Sequence, residues 1–125
     1  MSKTKILIVD DDEPIREYFK RAFTLKGFEV VTANNGVEGF TVSTREQPQL
    51  ILADVKMPEM DGIEMLKKIR ESGNWGARVP VIILSNFDVD EDMMKGVLEG
   101  DPSFYLLKSE TTPDTIISKF KEIAK

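Results

Sequence analysis

The side chains that could do chemistry in this chain are three aspartates, a serine and a lysine, each next to a short apolar segment. They are Asp10, Asp11, Asp54, Ser85 and Lys108. Carboxylates that share a site repel one another unless a cation lies between them, and an all-oxygen set suits Mg²⁺. A lysine and a hydroxyl add a positive charge and a hydrogen-bond donor for phosphoryl oxygens. These residue types therefore indicate phosphoryl-transfer chemistry.

The residue types that are missing narrow the chemistry further. The 125 residues include no Cys and no His, which excludes zinc–thiolate sites, cysteine nucleophiles and Ser-His-Asp triads. The 17 basic and 22 acidic residues give a net charge of −5, and there is no basic run. A net negative domain is poorly suited to a phosphate backbone or an anionic membrane, so we expect no direct nucleic-acid partner and no membrane partner.

The sequence also contains no recognisable targeting signal. Residues 1–5 lead directly into a short apolar segment, without the longer apolar stretch of a signal peptide. Apolar runs elsewhere are far shorter than the ~20 residues that a membrane-spanning helix needs. We therefore expect a cytoplasmic location.

Short apolar segments with strand character alternate five times with segments of helical spacing. The strand segments are 6–9, 28–31, 50–53, 79–84 and 104–107. The helical segments begin near Pro14, Val37, Asp61, Met93 and Pro113. Near-continuous apolar strands are typical of parallel sheets that are buried on both faces. The alternation predicts a single-domain α/β fold, a (βα)5 doubly wound parallel sheet.

This fold would bring the chemistry-bearing residues together. In an open parallel sheet, ligands bind outside the carboxyl ends of the strands. Asp10 and Asp11 follow the first predicted strand, Asp54 the third, Ser85 the fourth and Lys108 the fifth. We therefore expect all five side chains at one edge of the sheet.

The segments that carry these residues resemble a known family, the receiver domains of two-component response regulators. The resemblance covers essentially the whole chain, and its carriers are the segments ILIVDDD (6–12), LILADVKMPEMDG (50–62), VIILS (81–85) and YLLK (105–108). Each segment alone is a weak pattern, but all four in this order and spacing are highly specific. The resemblance implies a flavodoxin-like sheet with the strand order 2-1-3-4-5.

The resemblance also implies a role for each residue of the site. The expected phosphoacceptor is Asp54. The expected Mg²⁺ ligands are three carboxylates and one backbone carbonyl, from Asp10, Asp11, Asp54 and Lys56. The groups expected to bind the phosphoryl oxygens are Ser85 and Lys108, and the expected switch aromatic is Tyr105, starting from an exposed rotamer. The residues expected to modulate access to the phosphoryl group are Lys56, Asn86 and Phe87.

The partners implied by the resemblance are all proteins. A chain without His cannot be the phosphohistidine donor, so a histidine kinase or phosphotransfer protein is expected to supply the phosphoryl group. A downstream protein is expected to recognise the output surface, which we define as the predicted helix at 93–98, the strand at 104–107 and the helix after Pro113. We expect residues 1–125 to form one receiver domain with no attached output domain. It is expected to be a monomer or a weak phosphorylation-dependent dimer.

Two positions depart from the family pattern. Receivers commonly have a small residue after the switch hydroxyl, whereas Asn86 is larger and polar. They commonly have Pro after the lysine, whereas this chain has Ser109. Because a non-proline cis bond costs ~2.5–4 kcal/mol, we expect a trans bond between Lys108 and Ser109.

Each site residue also has a purely structural interpretation. Acidic residues at 10–13 could stabilise the start of the first helix, and Asp54 could cap a turn or helix ahead of Pro58. Ser85 could be a turn residue, Lys108 a solvated lysine and Tyr105 an ordinary strand aromatic.

Two other classes of function also remain open. One is a Mg²⁺-dependent phosphatase with Asp10 as nucleophile and Asp12 as acid, since residues 10–12 fit the pattern D-x-D. The other is a flavodoxin-like interaction module that is not phosphorylated, although no Gly-rich phosphate loop follows the first strand.

Overall fold

The computed structural model describes residues 3–85, 95 and 99–123. Five parallel strands form one sheet: β1 (Lys5–Val9), β2 (Glu29–Ala33), β3 (Leu50–Asp54), β4 (Val81–Ser85) and β5 (Phe104–Leu107). The helices in the described ranges are α1 (Glu13–Leu25), α2 (Gly36–Glu46), α3 (Gly62–Arg70), the short α4 (Asn74–Arg78) and α5 (Pro113–Ile123). A 3₁₀ turn, Lys108–Glu110, follows β5.

The strand order is β2-β1-β3-β4-β5, which confirms the predicted doubly wound parallel sheet. β1 lies between β2 and β3, so the order of strands along the sheet reverses there. In such folds the crevice at the carboxyl ends of the strands next to this reversal is where ligands bind. The carboxyl ends of β1 and β3 lie side by side at that point.

Short polar side chains determine where the helices begin. Asp12 accepts the backbone N–H of Ile15 at the start of α1, and Pro14 lies in its first turn. Asn35 and Asp61 cap α2 and α3 in the same way. Of the acidic residues at 10–13, which could stabilise the start of the first helix, Asp12 caps it.

Alternate residues of each strand contribute to two separate cores. One face of the sheet packs Leu7, Ile51 and Ile83 against α2 and α3, and the other packs Ile8, Leu52 and Ile82 against α1 and α5. Because both faces are covered by helices, the central strands have no solvent-facing side. This explains why their sequences are continuously apolar rather than alternating.

Three details differ from the predictions made from sequence. β2 begins and ends later than 28–31, and β4 begins at Val81 rather than Val79. The segment Asn74–Arg78 forms a helix that the sequence pattern did not indicate. The predicted helix at 93–98 lies outside the described residues except for Lys95, which has a helical backbone. No helix in the described ranges is long and apolar enough to cross a membrane.

Candidate functional site

The register of the sheet aligns three of the predicted site residues at its carboxyl edge. Asp54, the last residue of β3, pairs with Leu84. Ser85, the last residue of β4, pairs with Leu107, and Lys108 follows directly. Asp54, Ser85 and Lys108 therefore lie at successive steps along the same edge, as the sequence predicted.

Asp10 is buried and forms bonds through its side chain, its backbone N–H and its backbone carbonyl. Its side chain is only 5% exposed, and its Oδ1 accepts the backbone N–H of Asp12 at 2.9 Å. Its own N–H donates to the carbonyl of Ala33 at 3.2 Å, and its carbonyl accepts from Arg16 Nη1 at 2.8 Å. Asp11, by contrast, is exposed. Two neighbouring carboxylates thus differ sharply in how tightly they are fixed.

Lys108 is the cation at the centre of the site. Its Nζ lies 2.7 Å from Asp10 Oδ2 and 3.6 Å from Asp54 Oδ2, and its side chain is 7% exposed. A buried lysine is stable only where it is paired, and here two carboxylates pair with it. These distances rule out the interpretation of Lys108 as an ordinary solvated lysine. The peptide bond to Ser109 is trans, as expected, since the described residues include no cis bond.

The three predicted carboxylate ligands converge. One oxygen each from Asp10, Asp11 and Asp54 can be chosen so that all lie within 4.8 Å of one another. Oxygens that bind one Mg²⁺ at about 2.1 Å are at most about 4.2 Å apart, so small adjustments would close the set. Three carboxylates against one lysine leave excess negative charge, and the donors are the hard oxygens that Mg²⁺ prefers. The residues present therefore fit this ion.

Burial raises the pKa of Asp54 to about 6. Desolvation is the main cause; the nearby Asp10 and Asp11 raise it further, whereas Lys108 and the Val55 N–H partly oppose the rise. The Val55 N–H donates to Asp54 Oδ1 at 2.9 Å and fixes the orientation of the carboxylate. Asp54 is thus a carboxylate that is held in a fixed orientation and whose charge is incompletely compensated.

A glycine sets the distance between Asp54 and α3. The N–H of Gly62 donates to the carbonyl of Val55 at 2.8 Å, and a Cβ at this glycine would collide with the carbonyl of Asp54. The intervening loop contains Lys56, which is exposed and lies two residues after Asp54. The start of α3 therefore lies directly against the backbone of Asp54 and Val55.

Tyr105 does not have the exposed rotamer that was expected. Its ring packs against the core on the α2 and α3 face of the sheet, and its hydroxyl is buried without a hydrogen-bond partner among the described residues. Tyr105 pairs with Ile83 in the register, so its side chain lies on the same face as that buried residue. The expectation of an exposed ring in the unphosphorylated protein is wrong for this structure.

One contact of the site was not predicted, and two expected site residues are not among those described. Asn86 and Phe87 lie outside the described residues. Sequence reasoning missed the bond from Arg16 to the Asp10 carbonyl, because nothing in the pattern distinguishes Arg16 from Arg21, the other arginine of α1. The remaining predicted carboxylates, the serine and the lysine lie at the edge where they were expected.

Comparison with known proteins identifies the family to which this fold belongs. The model of the response regulator receiver domain family matches residues 6–121. The chain belongs to this family. It is a receiver domain of two-component signalling, and the family is a class of signalling domains that generally bind Mg²⁺ and interact with histidine kinases or phosphotransfer proteins.

Individual relatives agree with this assignment. The receiver is 42% identical over 97 residues to the transcriptional regulatory protein CpxR homolog of Haemophilus influenzae, with 78% of this chain and 40% of that protein covered. It is 33% identical over 96 residues to the response regulator MprA of Mycobacterium leprae, with coverages of 77% and 41%. A CheY-like receiver domain from Methanospirillum hungatei superposes with a TM-score of 0.86 at 29% identity, covering 97% of this chain and 93% of that one.

The receiver spans about two fifths of the length of these curated relatives. One of them is named as a transcriptional regulatory protein. The relatives therefore give no support to the expected absence of a nucleic-acid partner, and the expectation that no output domain is attached stays a prediction.

Proposed function

We propose that this receiver accepts a phosphoryl group on Asp54, with Mg²⁺, from the phosphohistidine of a kinase or phosphotransfer protein. One observation carries the proposal: the oxygens of Asp10, Asp11 and Asp54 converge within 4.8 Å beside the Nζ of a buried lysine. Asp10, Asp11, Asp54 and the Lys56 carbonyl would hold the ion. Mg²⁺, when bound, neutralises charge on the transferring phosphoryl oxygens.

In the transfer step, an Asp54 carboxylate oxygen attacks the phosphorus of the donor. The new P–O bond gives an acyl phosphate, the P–N bond to the donor imidazole breaks, and that imidazole nitrogen takes up a proton. Lys108 supplies a positive charge to the phosphoryl oxygens, and the Ser85 hydroxyl donates a hydrogen bond. Because the donor orientation and the charges are set in advance, little else is required of the protein.

The contacts of Asp10 weigh against the phosphatase alternative. Both of its carboxylate oxygens are engaged, one by the Asp12 N–H and the other by Lys108, and Asp12 itself caps α1. Lys108 lies closer to Asp10 Oδ2, at 2.7 Å, than to Asp54 Oδ2, at 3.6 Å. Asp54 is more accessible, since its side chain is 13% exposed against 5% for Asp10.

The labelling experiment uses a small phosphodonor and intact-mass spectrometry. The parent protein with Mg²⁺ is expected to gain one acid- and base-labile phosphoryl group, and Asp54→Asn none. Asp61→Asn is the matched control, because it removes a carboxylate after the same strand while asparagine still caps α3. Undiminished labelling of Asp54→Asn, or its loss only in Asp10→Asn, would contradict the proposal.

We propose further that Ser85 and Tyr105 transmit the phosphorylation to the output surface. Ser85 is fully buried at the end of β4, next to the strand that carries Tyr105. Drawing its hydroxyl toward a phosphoryl group would alter the packing beside Tyr105, whose buried hydroxyl has no bond to lose among the described residues. A few kcal/mol of preference is enough to shift such a two-state equilibrium.

Ser85→Ala tests this coupling. The variant is expected to accept phosphate on Asp54 but to show much smaller amide NMR shifts along β5 when phosphorylated or treated with beryllofluoride. Ser43→Ala is the control, since Ser43 is equally buried but bonds only the carbonyl of Phe40 within α2. Unchanged β5 shifts in Ser85→Ala, or a silent Tyr105 in the parent, would exclude this switch.

A further inference from the structure

The backbone of the Asp10–Asp12 segment is held by an arginine that the site chemistry does not use. Arg16 lies in the second turn of α1, is half-buried, and its Nη1 donates to the carbonyl of Asp10 at 2.8 Å. Four acidic residues, 10–13, lie close to it in sequence, yet among the described residues Arg16 makes no ion pair with any carboxylate. Because the Arg16 guanidinium bonds a neutral carbonyl and no carboxylate, it orients the peptide that follows Asp10 rather than neutralising a charge.

That peptide determines where the Asp11 carboxylate points. Asp11 is exposed, and no described residue hydrogen-bonds to its side chain, so only the backbone limits where its carboxylate can lie. On one side, the Asp10 carbonyl is held by Arg16. On the other side, the Asp12 N–H is held by Asp10 Oδ1 at 2.9 Å. Removing Arg16 would free the first of these two attachments.

We propose that Arg16 is a positioning residue for the metal site: by fixing the Asp10 carbonyl it holds the Asp11 carboxylate ready to bind Mg²⁺. The inference rests on the proposed function, because it assumes that the cluster of Asp10, Asp11 and Asp54 binds this ion. Groups that orient metal ligands without touching the metal typically change metal affinity 10–100-fold when they are removed.

Charge and positioning predict opposite results for the loss of Arg16. A guanidinium close to the site repels a divalent cation, so removing its charge alone would strengthen Mg²⁺ binding. Loss of the carbonyl bond would instead leave Asp11 to be ordered on binding, which weakens Mg²⁺ binding. The sign of the change therefore distinguishes the two roles.

The test is a calorimetric Mg²⁺ titration of the full chain. Arg16→Met is expected to bind Mg²⁺ about tenfold more weakly than the parent. Arg21→Met is the matched control, since it removes the same charge from an exposed position of α1 and is expected to stay within about twofold of the parent. Arg16→Lys keeps the charge but loses the planar fork, and an affinity between those of the parent and Arg16→Met is expected.

Each outcome is decisive for one of the two proposals. If Arg16→Met binds Mg²⁺ as tightly as Arg21→Met, or more tightly than the parent, Arg16 does not position the site. If Arg16→Met fails to fold, Arg16→Lys decides, and parent affinity in that variant overturns the inference. If the parent protein does not bind Mg²⁺ at millimolar concentration, the metal site of the proposed function is itself wrong.

Discussion

The two edges of the sheet use charge in opposite ways. At the amino edge, Arg70 of α3 donates to four backbone carbonyls that lie before β4 and β5. These carbonyls belong to Gly76, Val79, Gly100 and Asp101, and the donor–acceptor distances run from 2.7 to 3.1 Å. At the carboxyl edge, oxygens of three carboxylates lie close together, and Lys108 Nζ contacts two of these carboxylates, Asp10 and Asp54.

The difference shows how a structural charge can be told from a functional one. Burial lowers the pKa of Arg70, with the nearby Asp101 partly opposing the change. Backbone carbonyls occupy four of the five N–H donors of its guanidinium. The carboxyl edge, in contrast, has more negative charge than its lysine can balance. Unbalanced negative charge in a structured site is what a cation can satisfy, so this edge is the one for which we propose a function.

The largest expected effect on stability comes from removing Arg70 from the amino edge. Arg70→Met leaves four carbonyls without their donor and should lower the free energy of unfolding by about 3 kcal/mol. Arg70→Lys should recover little, because an ammonium cannot reach four acceptors in one plane. Urea denaturation measures the loss, and Arg78→Met is the control, since Arg78 is exposed.

If the two edges of the sheet are independent, folded Arg70→Met binds Mg²⁺ with the same affinity as the parent protein. A Mg²⁺ affinity that fell together with stability would mean that the two edges are not independent. A loss of stability below about 1 kcal/mol would mean that the four bonds contribute no more than one ordinary hydrogen bond.

Removing a charged group from the carboxyl edge should raise the free energy of unfolding rather than lower it. The folded protein binds a proton on Asp54 more tightly than the unfolded chain, because its pKa rises from 3.8 to about 6. Stability therefore falls as pH rises from about 4 to 6, and the penalty persists above pH 6. Asp54→Asn removes the penalty and should stabilise the Mg²⁺-free protein at pH 7.5 by about 1–2 kcal/mol, a value reduced for the partial solvent access of the site.

The pH dependence makes this prediction specific. The advantage of Asp54→Asn should shrink as pH falls below about 6 and should vanish only below the unfolded pKa of 3.8, where the parent carboxyl is protonated in both states. Urea unfolding in the presence of a metal chelator at several pH values measures it. An Asp54→Asn variant that is less stable than the parent at pH 7.5 would mean that Lys108 already compensates the charge of Asp54.

The sequence was sufficient to predict the sheet, because its central strands are buried on both faces and therefore continuously apolar. It also predicted which residues follow the strands, since parallel strands place their carboxyl ends together. The cap by Asp12 could be anticipated because it is local: the N–H that Asp12 accepts belongs to Ile15, three residues further along the chain.

Contacts between distant segments could not be predicted in this way. Arg70 reaches carbonyls 30 and 31 residues away, and no local pattern marks it as different from an exposed helical arginine. The inward orientation of Tyr105 depends on the space beside its ring on the α2 and α3 face, which the sequence of β5 does not specify. Similarly, the role of Arg16 can be recognised only once the position of the Asp10 carbonyl is known.

The smallest expected effect tests whether the amino edge is purely structural. The Nε1 of Trp75, in α4, donates to the carbonyl of Pro48 at 3.2 Å, while its ring packs against the core. Trp75→Phe keeps most of the ring contact and loses only this bond, so it should lower the free energy of unfolding by about 1 kcal/mol. Because Trp75 is the only tryptophan, unfolding must be followed by circular dichroism. The loss of stability should be the same at pH 5 and pH 7.5 and with or without Mg²⁺, since no charge is involved. A loss that depends on Mg²⁺ would show that the acidic site and the amino edge are energetically coupled.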